Sequence, residues 1–288
     1  MSIFIGLDIG GTKLMAAAAD AQGRVLRRAR SATPLDLEAG LATLHAMVAE
    51  VAEGQPVAAI GAAIGGPLDA LRGIVSPLHQ PLWRAVPLKA MMEQRWGCPF
   101  FVDVDTNVAA LGEYALGGAP VARLLYLTIT TGVGGGFVVD GRIYRGAQGG
   151  HPEVGHQTIN FHCAHPERVA CECGAPDCLE ALVSGNAIRR IYGVPAEDLP
   201  AEAWAEVAYN LGQGLRNLAT IYLPDVIALG GGVAIGGGDI LLDQAGHVMA
   251  DHLQLVSAPA LRLSQLGYHT ALLGAIELAR LSLNEIRD

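Results

Sequence analysis

Two apolar runs in this chain each break at a glycine-rich turn and then resume as a second apolar run. The first is Phe4-Ile5-Gly6-Leu7-Asp8-Ile9-Gly10-Gly11-Thr12-Lys13; the second starts at Leu124 and turns through Thr130-Thr131-Gly132-Val133-Gly134-Gly135-Gly136. A glycine turn between strands lets backbone N–H groups point at phosphate oxygens, because no Cβ blocks close approach. Two such turns can hold a polyphosphate from both sides. The carboxylate of Asp105, in Val104-Asp105-Thr106-Asn107, falls between them in sequence and can act on an acceptor. The pattern implies a nucleotide-dependent phosphotransferase.

The order of elements agrees with a duplicated core. Residues 3–9 read as a buried strand, 13–19 as a second and 24–30 as a third, an antiparallel meander unlike the strand-then-helix opening of a Rossmann unit. Leu37, Leu41, Leu44, Val48 and Val51 recur at helical spacing until Gly54. A strand over Val57–Ile64 ends in Gly65-Gly66-Pro67, and a strand over Phe100–Val104 lies between helices expected at 88–96 and 106–117. The second half opens as the first does, with a strand, a glycine turn and a strand over Gly136–Val139. A loop-rich stretch over 142–185 follows, then helices to 223, a strand Val226–Leu229 running into Gly230-Gly231-Gly232, and a helix near 271–284. At 288 residues the chain exceeds one ordinary core, so two lobes are expected.

Composition excludes several classes. With 51% hydrophobic and 16% charged residues the chain has ample core, and disorder would need the reverse balance. A formal charge of −9 is the wrong sign for a nucleic-acid footprint. No long uncharged apolar run suggests a membrane span, and Gly6, Asp8 and Gly10 interrupt the apolar start that a signal peptide would need. A cytoplasmic protein is expected. Four of its five cysteines, Cys163, Cys171, Cys173 and Cys178, fall close together, which in such a compartment favours metal over disulfides.

Each motif has a chemical reading. Asp8, just before the first turn, suits Mg²⁺ or its waters, and Thr12 and Lys13 add a hydroxyl and a charge near phosphate. The spacing is not that of a P-loop. Asp105, where a strand meets a helix, reads either as the base for an attacking hydroxyl or as a helix N-cap. Asp103 lies on the same strand face and competes for the role of base. His156, Cys171, Cys173 and Cys178 form a closed tetrahedral set suited to structural zinc, with Cys163, His162 and His165 as nearby competitors. Glu153 and Glu180 bracket this knuckle and could bind vicinal hydroxyls. His151 reads as a loop residue, near enough to Glu153 for substrate contact.

These motifs, in this order over almost the whole length, resemble the ROK family (repressors, open reading frames and sugar kinases). The resemblance rests on Asp8 to Lys13, Asp105 to Glu113, Thr131 to Gly136, Glu153-Val154-Gly155-His156, Cys171-Glu172-Cys173-Gly174 with Cys178-Leu179-Glu180, and Gly230 to Val233. It implies the two-lobed, actin-like (ribonuclease H-like) α/β ATPase fold of hexokinases, with mixed sheets. One lobe would be residues 1–116 with about 272–288, the other 117–271. It further implies an ATP- and Mg²⁺-dependent kinase of a hexose, fructose or glucose, with Asp105 as base. Gly10, Gly11, Thr12, Lys13, Thr131, Gly132 and Gly134 would hold phosphate, and Gly230, Gly231 and Gly232 would lie by the adenosine. Gly66, Asn107, Glu153, His156 and Glu180 would face the sugar, zinc would sit on His156, Cys171, Cys173 and Cys178, and a homodimer is implied.

Departures from the family pattern leave the sugar open. Many glucose-type members carry Asn where this chain has Val104, and another Asn where it has Leu78 or His79. The run His151-Pro152-Glu153-Val154-Gly155-His156 is similar to fructokinase-type members, whereas the cysteine knuckle is similar to the glucokinase type. A polyol, cyclitol or amino-sugar kinase is the alternative. A sugar-sensing repressor or an actin-like assembly ATPase fits less well. The strand expected from residue 3 and the acidic charge oppose the first, and the knuckle with its paired glutamates opposes the second.

Overall fold

The computed structural model describes residues 2–287, and these fall into two compact units. Unit 1 comprises Met1–Leu116, Arg145–His151 and His269–Asp288; unit 2 comprises Gly117–Tyr144 and Pro152–Tyr268. Among the described residues no helix is long and apolar enough to cross a membrane.

Unit 1 is built on a five-stranded mixed sheet. Strands β1 (Ile3–Ile9), β2 (Lys13–Ala19) and β3 (Val25–Ala32) form the antiparallel meander. Helix α1 (Leu37–Ala52) then leads to β4 (Val57–Ile64), which pairs parallel with β1. A small hairpin, β5 (Leu68–Asp69) with β6 (Ile74–Val75), and α2 (Leu88–Trp96) precede β7 (Phe100–Val104), parallel to β4, and α3 (Asp105–Leu116). The sheet order is β3-β2-β1-β4-β7. Helix α1 starts where Asp36 accepts from Ala39 N at 2.9 Å and stops where Glu53 and Gly54 turn left-handed. Its apolar stripe, Leu41, Leu44, Val48 and Val51, is buried with Ile5, Leu7 and Ile60 in one cluster.

Unit 2 repeats the design. Strands β8 (Arg123–Ile129) and β9 (Val133–Val139) pair antiparallel, with the short β10 (Arg142–Ile143) at the edge. Helices α4 (Glu180–Val183), α5 (Gly185–Tyr192) and α6 (Ala201–Tyr222) follow, then β11 (Val226–Gly230), α7 (Gly232–Asp251) and β12 (Ala260–Leu263). The order is β10-β9-β8-β11-β12, with β11 parallel to both β8 and β12. Each sheet thus joins an antiparallel glycine hairpin to parallel strands. The chain closes with α8 (Thr270–Arg287), which belongs to unit 1.

Helix α8 lies against β1, β4 and α3 at distances only glycine permits. A Cβ on Gly61 would stand 2.0 Å from Ala275 O, and one on Gly274 would stand 1.9 Å from Val108 O. Sequence periodicity does not reveal α7 or β12. The glycines Gly236, Gly237 and Gly238 dilute the helical signal of α7, and Gly238 does break it with a φ of 56°. The expected third strand runs two residues further, to Ala32, and α3 begins at Asp105 itself.

Candidate active site

In unit 1 the first glycine turn is a tight closure braced from outside. Gly10 N donates to Lys13 O at 3.0 Å, Thr33 Oγ1 donates to Gly10 O at 2.7 Å, and the buried Gln80 reaches the same carbonyl at 3.4 Å. With that carbonyl occupied and Thr12 exposed, the turn offers its tip to a ligand. Asp8, on β1 just before it, is part-buried, and burial pushes its carboxyl up to about 6; Lys13 opposes the rise and Asp105 adds to it. Asp8 and Asp105 are therefore close enough to feel each other.

Asp105 opens α3 at the end of β7. A capping carboxylate accepts from the second or third helical amide; this one accepts instead from its neighbour Thr106 N at 2.8 Å. Its surface stays open to a ligand, yet the protein around it displaces enough water to hold its carboxyl above the ordinary range. The Thr106 amide and the imidazoles of His151 and His79 pull the other way. Asp103 differs in every respect. It is 1% exposed, accepts from Val104 N at 2.7 Å and Asn107 Nδ2 at 3.1 Å, and is paired with Arg145. Asn107 is fully buried under it, with its own Oδ1 lacking a partner. Gly66 accepts from Leu78 N at 3.0 Å and approaches Val104. Of the two candidates for the missing Asn position, Leu78 is 71% exposed, whereas His79 packs against Gly11 and acts on Asp105.

In unit 2 the second turn is held by α4 and α5. Gly185 N and Asn186 N donate to the carbonyls of Thr130 and Thr131 at 2.7 and 3.3 Å, and Val133 N donates to Glu180 Oε2 at 2.8 Å. Glu180 lies so close that a Cβ on Gly132 would meet its carboxylate at 2.6 Å. Gly134 lies within β9, paired with Thr128. Thr130, Thr131 and the start of α7 at Gly232 and Val233 line one cavity of about 520 Å³. Its other walls include Arg189, Pro195, Trp204 and Tyr268. A helix N-terminus beside a glycine turn is suited to phosphate, and aromatic and proline walls are suited to a flat ring. Gly231 turns left-handed to start α7, and Gly230 packs on Tyr126.

The four metal candidates do come together. One ligand atom from each of His156, Cys171, Cys173 and Cys178 lies within 4.8 Å of all the others. His156 Nδ1 is 3.8 Å from Cys171 Sγ and 3.9 Å from Cys178 Sγ, and the sulfurs of Cys173 and Cys178 are 3.8 Å apart. Zinc–ligand bonds of 2.0–2.3 Å at tetrahedral angles give edges of about 3.7 Å, so the set fits Zn²⁺. The competitors stand elsewhere: His162 stacks on Tyr209 at 3.9 Å, His165 faces Glu167, and Cys163 feels Glu206. His156 Nε2 points away from the sulfurs, 3.9 Å from Glu153. Glu180 links knuckle and turn, with Oε1 3.7 Å from Cys171 Sγ and Oε2 on Val133 N.

No local pattern in the sequence marks Arg145 or the aromatic walls Trp204 and Tyr268. His151, expected as a loop residue within reach of Glu153, does lie in a loop, directly after the exposed pair Gly149-Gly150.

The fold and the relatives define a sugar kinase enzyme on the actin-like ATPase fold. The ROK hexokinase of Thermus thermophilus is 34% identical, covers 98% of this chain and 99% of its own, and superposes with a TM-score of 0.88. A ROK family glucokinase from Streptomyces griseus, solved with glucose and AMPPNP, is 30% identical over 97% of this chain and 100% of its own, with a TM-score of 0.79. A putative fructokinase of Bacillus subtilis is 32% identical over 79% of this chain and 76% of its own, and repressors also stand among the relatives. The ROK family model matches residues 4–281, and the chain belongs to the ROK family.

Proposed function

We propose that the chain transfers the γ-phosphoryl group of ATP to a hydroxyl of a hexose, fructose or glucose first, with Asp105 as general base. The observation that carries this is the set on unit 1: an open carboxylate with a raised pKa, beside Asp8 and a braced glycine turn. Asp103 is already spent on Arg145 and Asn107, which leaves Asp105 to take the proton. A carboxyl above its ordinary range is the stronger base. As the proton moves to Asp105, the hydroxyl oxygen forms a bond to the γ-phosphorus and the bond to the bridging oxygen breaks, releasing ADP. The turn amides and Lys13 would meet the phosphate charge, and Asp8 would hold Mg²⁺, which neutralises it.

On unit 2 the cavity beside Thr131 and Gly232 would take the adenosine, and Gly132 the phosphates. His156, Cys171, Cys173 and Cys178 would hold structural zinc, leaving His156 Nε2, Glu153 and Glu180 toward the sugar. The lobes 1–116 with about 272–288 and 117–271 would close on the substrates and exclude water. The protein would work as a cytoplasmic homodimer. His79, in place of an amide, alters the hydroxyl contacts and keeps an amino sugar or cyclitol as the alternative acceptor.

The test is ADP release with Mg·ATP across fructose, glucose, mannose, N-acetylated hexosamines, allose and a cyclitol. Turnover dependent on one sugar is expected, and Asp105→Asn should abolish it while both substrates still bind. Near-normal turnover of that variant refutes the base assignment.

A further inference from the structure

The segment Arg145–His151 takes no part in the reaction just described, yet both its ends address the carboxylates at the end of β7. It follows Tyr144 of unit 2, packs with unit 1, and rejoins unit 2 at Pro152. Between its ends the backbone closes on itself: Gly146 N donates to Gly150 O at 2.7 Å, and Gly149 N and Gly150 N donate to Gly146 O and Ala147 O at 3.1 Å. The Gly146–Gly150 neck therefore holds Arg145 and His151 side by side. Arg145 pairs with the buried Asp103, whose other oxygen is taken by Val104 N and Asn107. Asp103 lies on β7 and Asp105 follows directly after its end, so the two carboxylates stand two residues apart in the chain. His151 is one of two imidazoles that act on Asp105.

We infer that this strap is part of the acceptor site: Arg145 is a positioning residue anchored on Asp103, and His151 is the side chain it presents beside Asp105 to hold acceptor hydroxyls. The inference rests on Asp105 being the base. A glycine-rich exposed loop has many conformations to lose, and a neck pinned by an ion pair to a buried carboxylate removes most of them. Such a pair supplies geometry more than stability, since taking the Asp103 carboxylate out of water offsets much of its attraction to Arg145. An imidazole both donates and accepts, so it can meet two hydroxyls of a polyol, where a misplacement of about 1 Å lowers rate by about a hundredfold.

The experiment is initial-rate kinetics of His151→Ala, Arg145→Met, their double variant and Arg145→Lys on the preferred sugar. His151→Ala should lower kcat/KM for the sugar by about tenfold or more while KM for ATP moves by less than about twofold. Arg145→Met should match that loss, and the double variant should be no worse than the poorer single one, because both act through one element. Arg145→Lys, which keeps a cation on Asp103, should restore the wild-type melting temperature but not the rate, separating folding from positioning. Sugar kinetics within about twofold of wild type for His151→Ala, losses that multiply in the double variant, or parallel changes in KM for ATP would each overturn the inference. Asp105→Asn run alongside keeps the two claims apart. A dead Asp105→Asn with a normal His151→Ala refutes only the strap, whereas an active Asp105→Asn refutes the base.

Discussion

Helices α3 and α8 cross at Gly112 and Gly274 with no room for a side chain, and this crossing seats Asp105 at the first residue of α3. Replacing Gly274 by alanine places a Cβ 1.9 Å from Val108 O, 2.8 Å from Val108 C and 3.1 Å from Gly112 N. Even an attractive carbon–oxygen contact needs about 3.3 Å, so the helices must part by about 1.4 Å. Backbone on both sides cannot yield as a flexible side chain would. Overpacking of this kind costs about 1–3 kcal/mol, and the clash here puts it at the upper end. Alanine returns about 1 kcal/mol of helix propensity. The net is a loss of about 2 kcal/mol, or about 4–8 °C in melting temperature for units of this size. The same displacement moves Asp105, so kcat should fall by up to about a hundredfold. Gly246→Ala in α7 is the matched control, because its Cβ meets only Leu261 Cδ2 at 3.5 Å. That variant should be as stable as wild type or about 1 kcal/mol more so. The assay is urea and thermal unfolding of both variants with initial rates on the same preparations. Stability of Gly274→Ala at or above wild type, tracking the control, would refute the packing argument.

Two further outcomes are expected. Asp8 has a folded pKa of about 6 against an ordinary 3.8, so between those values the folded state holds the extra proton and stability of the ligand-free protein falls as pH rises toward 6. Asp8→Asn should therefore raise stability by up to about 3 kcal/mol above pH 7, the gain fading to nothing below the ordinary value, while abolishing Mg·ATP turnover; urea midpoints that shift equally at low and high pH contradict this. The purified protein should carry about one zinc per chain by elemental analysis, lost in Cys178→Ser, and chelation should lower its melting temperature. Metal-free protein that melts as the loaded form does would remove zinc from the account.

The parts of the site legible in sequence are those that one short segment specifies. The turn at Gly10–Lys13 needs only its flanking strands, and the knuckle draws on His156 and three cysteines near in sequence, with the fold setting aside the competitors His162, Cys163 and His165. Helix α7 was hidden because its identity is tertiary. Leu241, Ala245 and Met249 bury one face within the core that α6 also lines, and that burial outweighs a glycine-rich first half. Strand β12 is four residues at a sheet edge, too short for alternation to register. Glu180 shows the same limit in chemistry. Its place beside the cysteines suggests a free carboxylate for sugar, yet one oxygen is held by Val133 N, 47 residues earlier in the chain.

The pair Asp103 and Asp105 marks where local reasoning ends. Two identical side chains, two residues apart on one strand face, are equal candidates by every rule of pattern and propensity. What separates them is a guanidinium 42 residues downstream, in a loop with no motif of its own. Once Arg145 pairs with Asp103 and Asn107 occupies its remaining oxygen, that buried carboxylate can neither leave its pocket nor accept a substrate proton without giving up its ion pair. Asp105, which accepts from its neighbour's amide and faces two imidazoles rather than the guanidinium that Asp103 holds, keeps both freedoms. On the proposed reading, the substrate proton goes to the carboxylate that the distant arginine does not take.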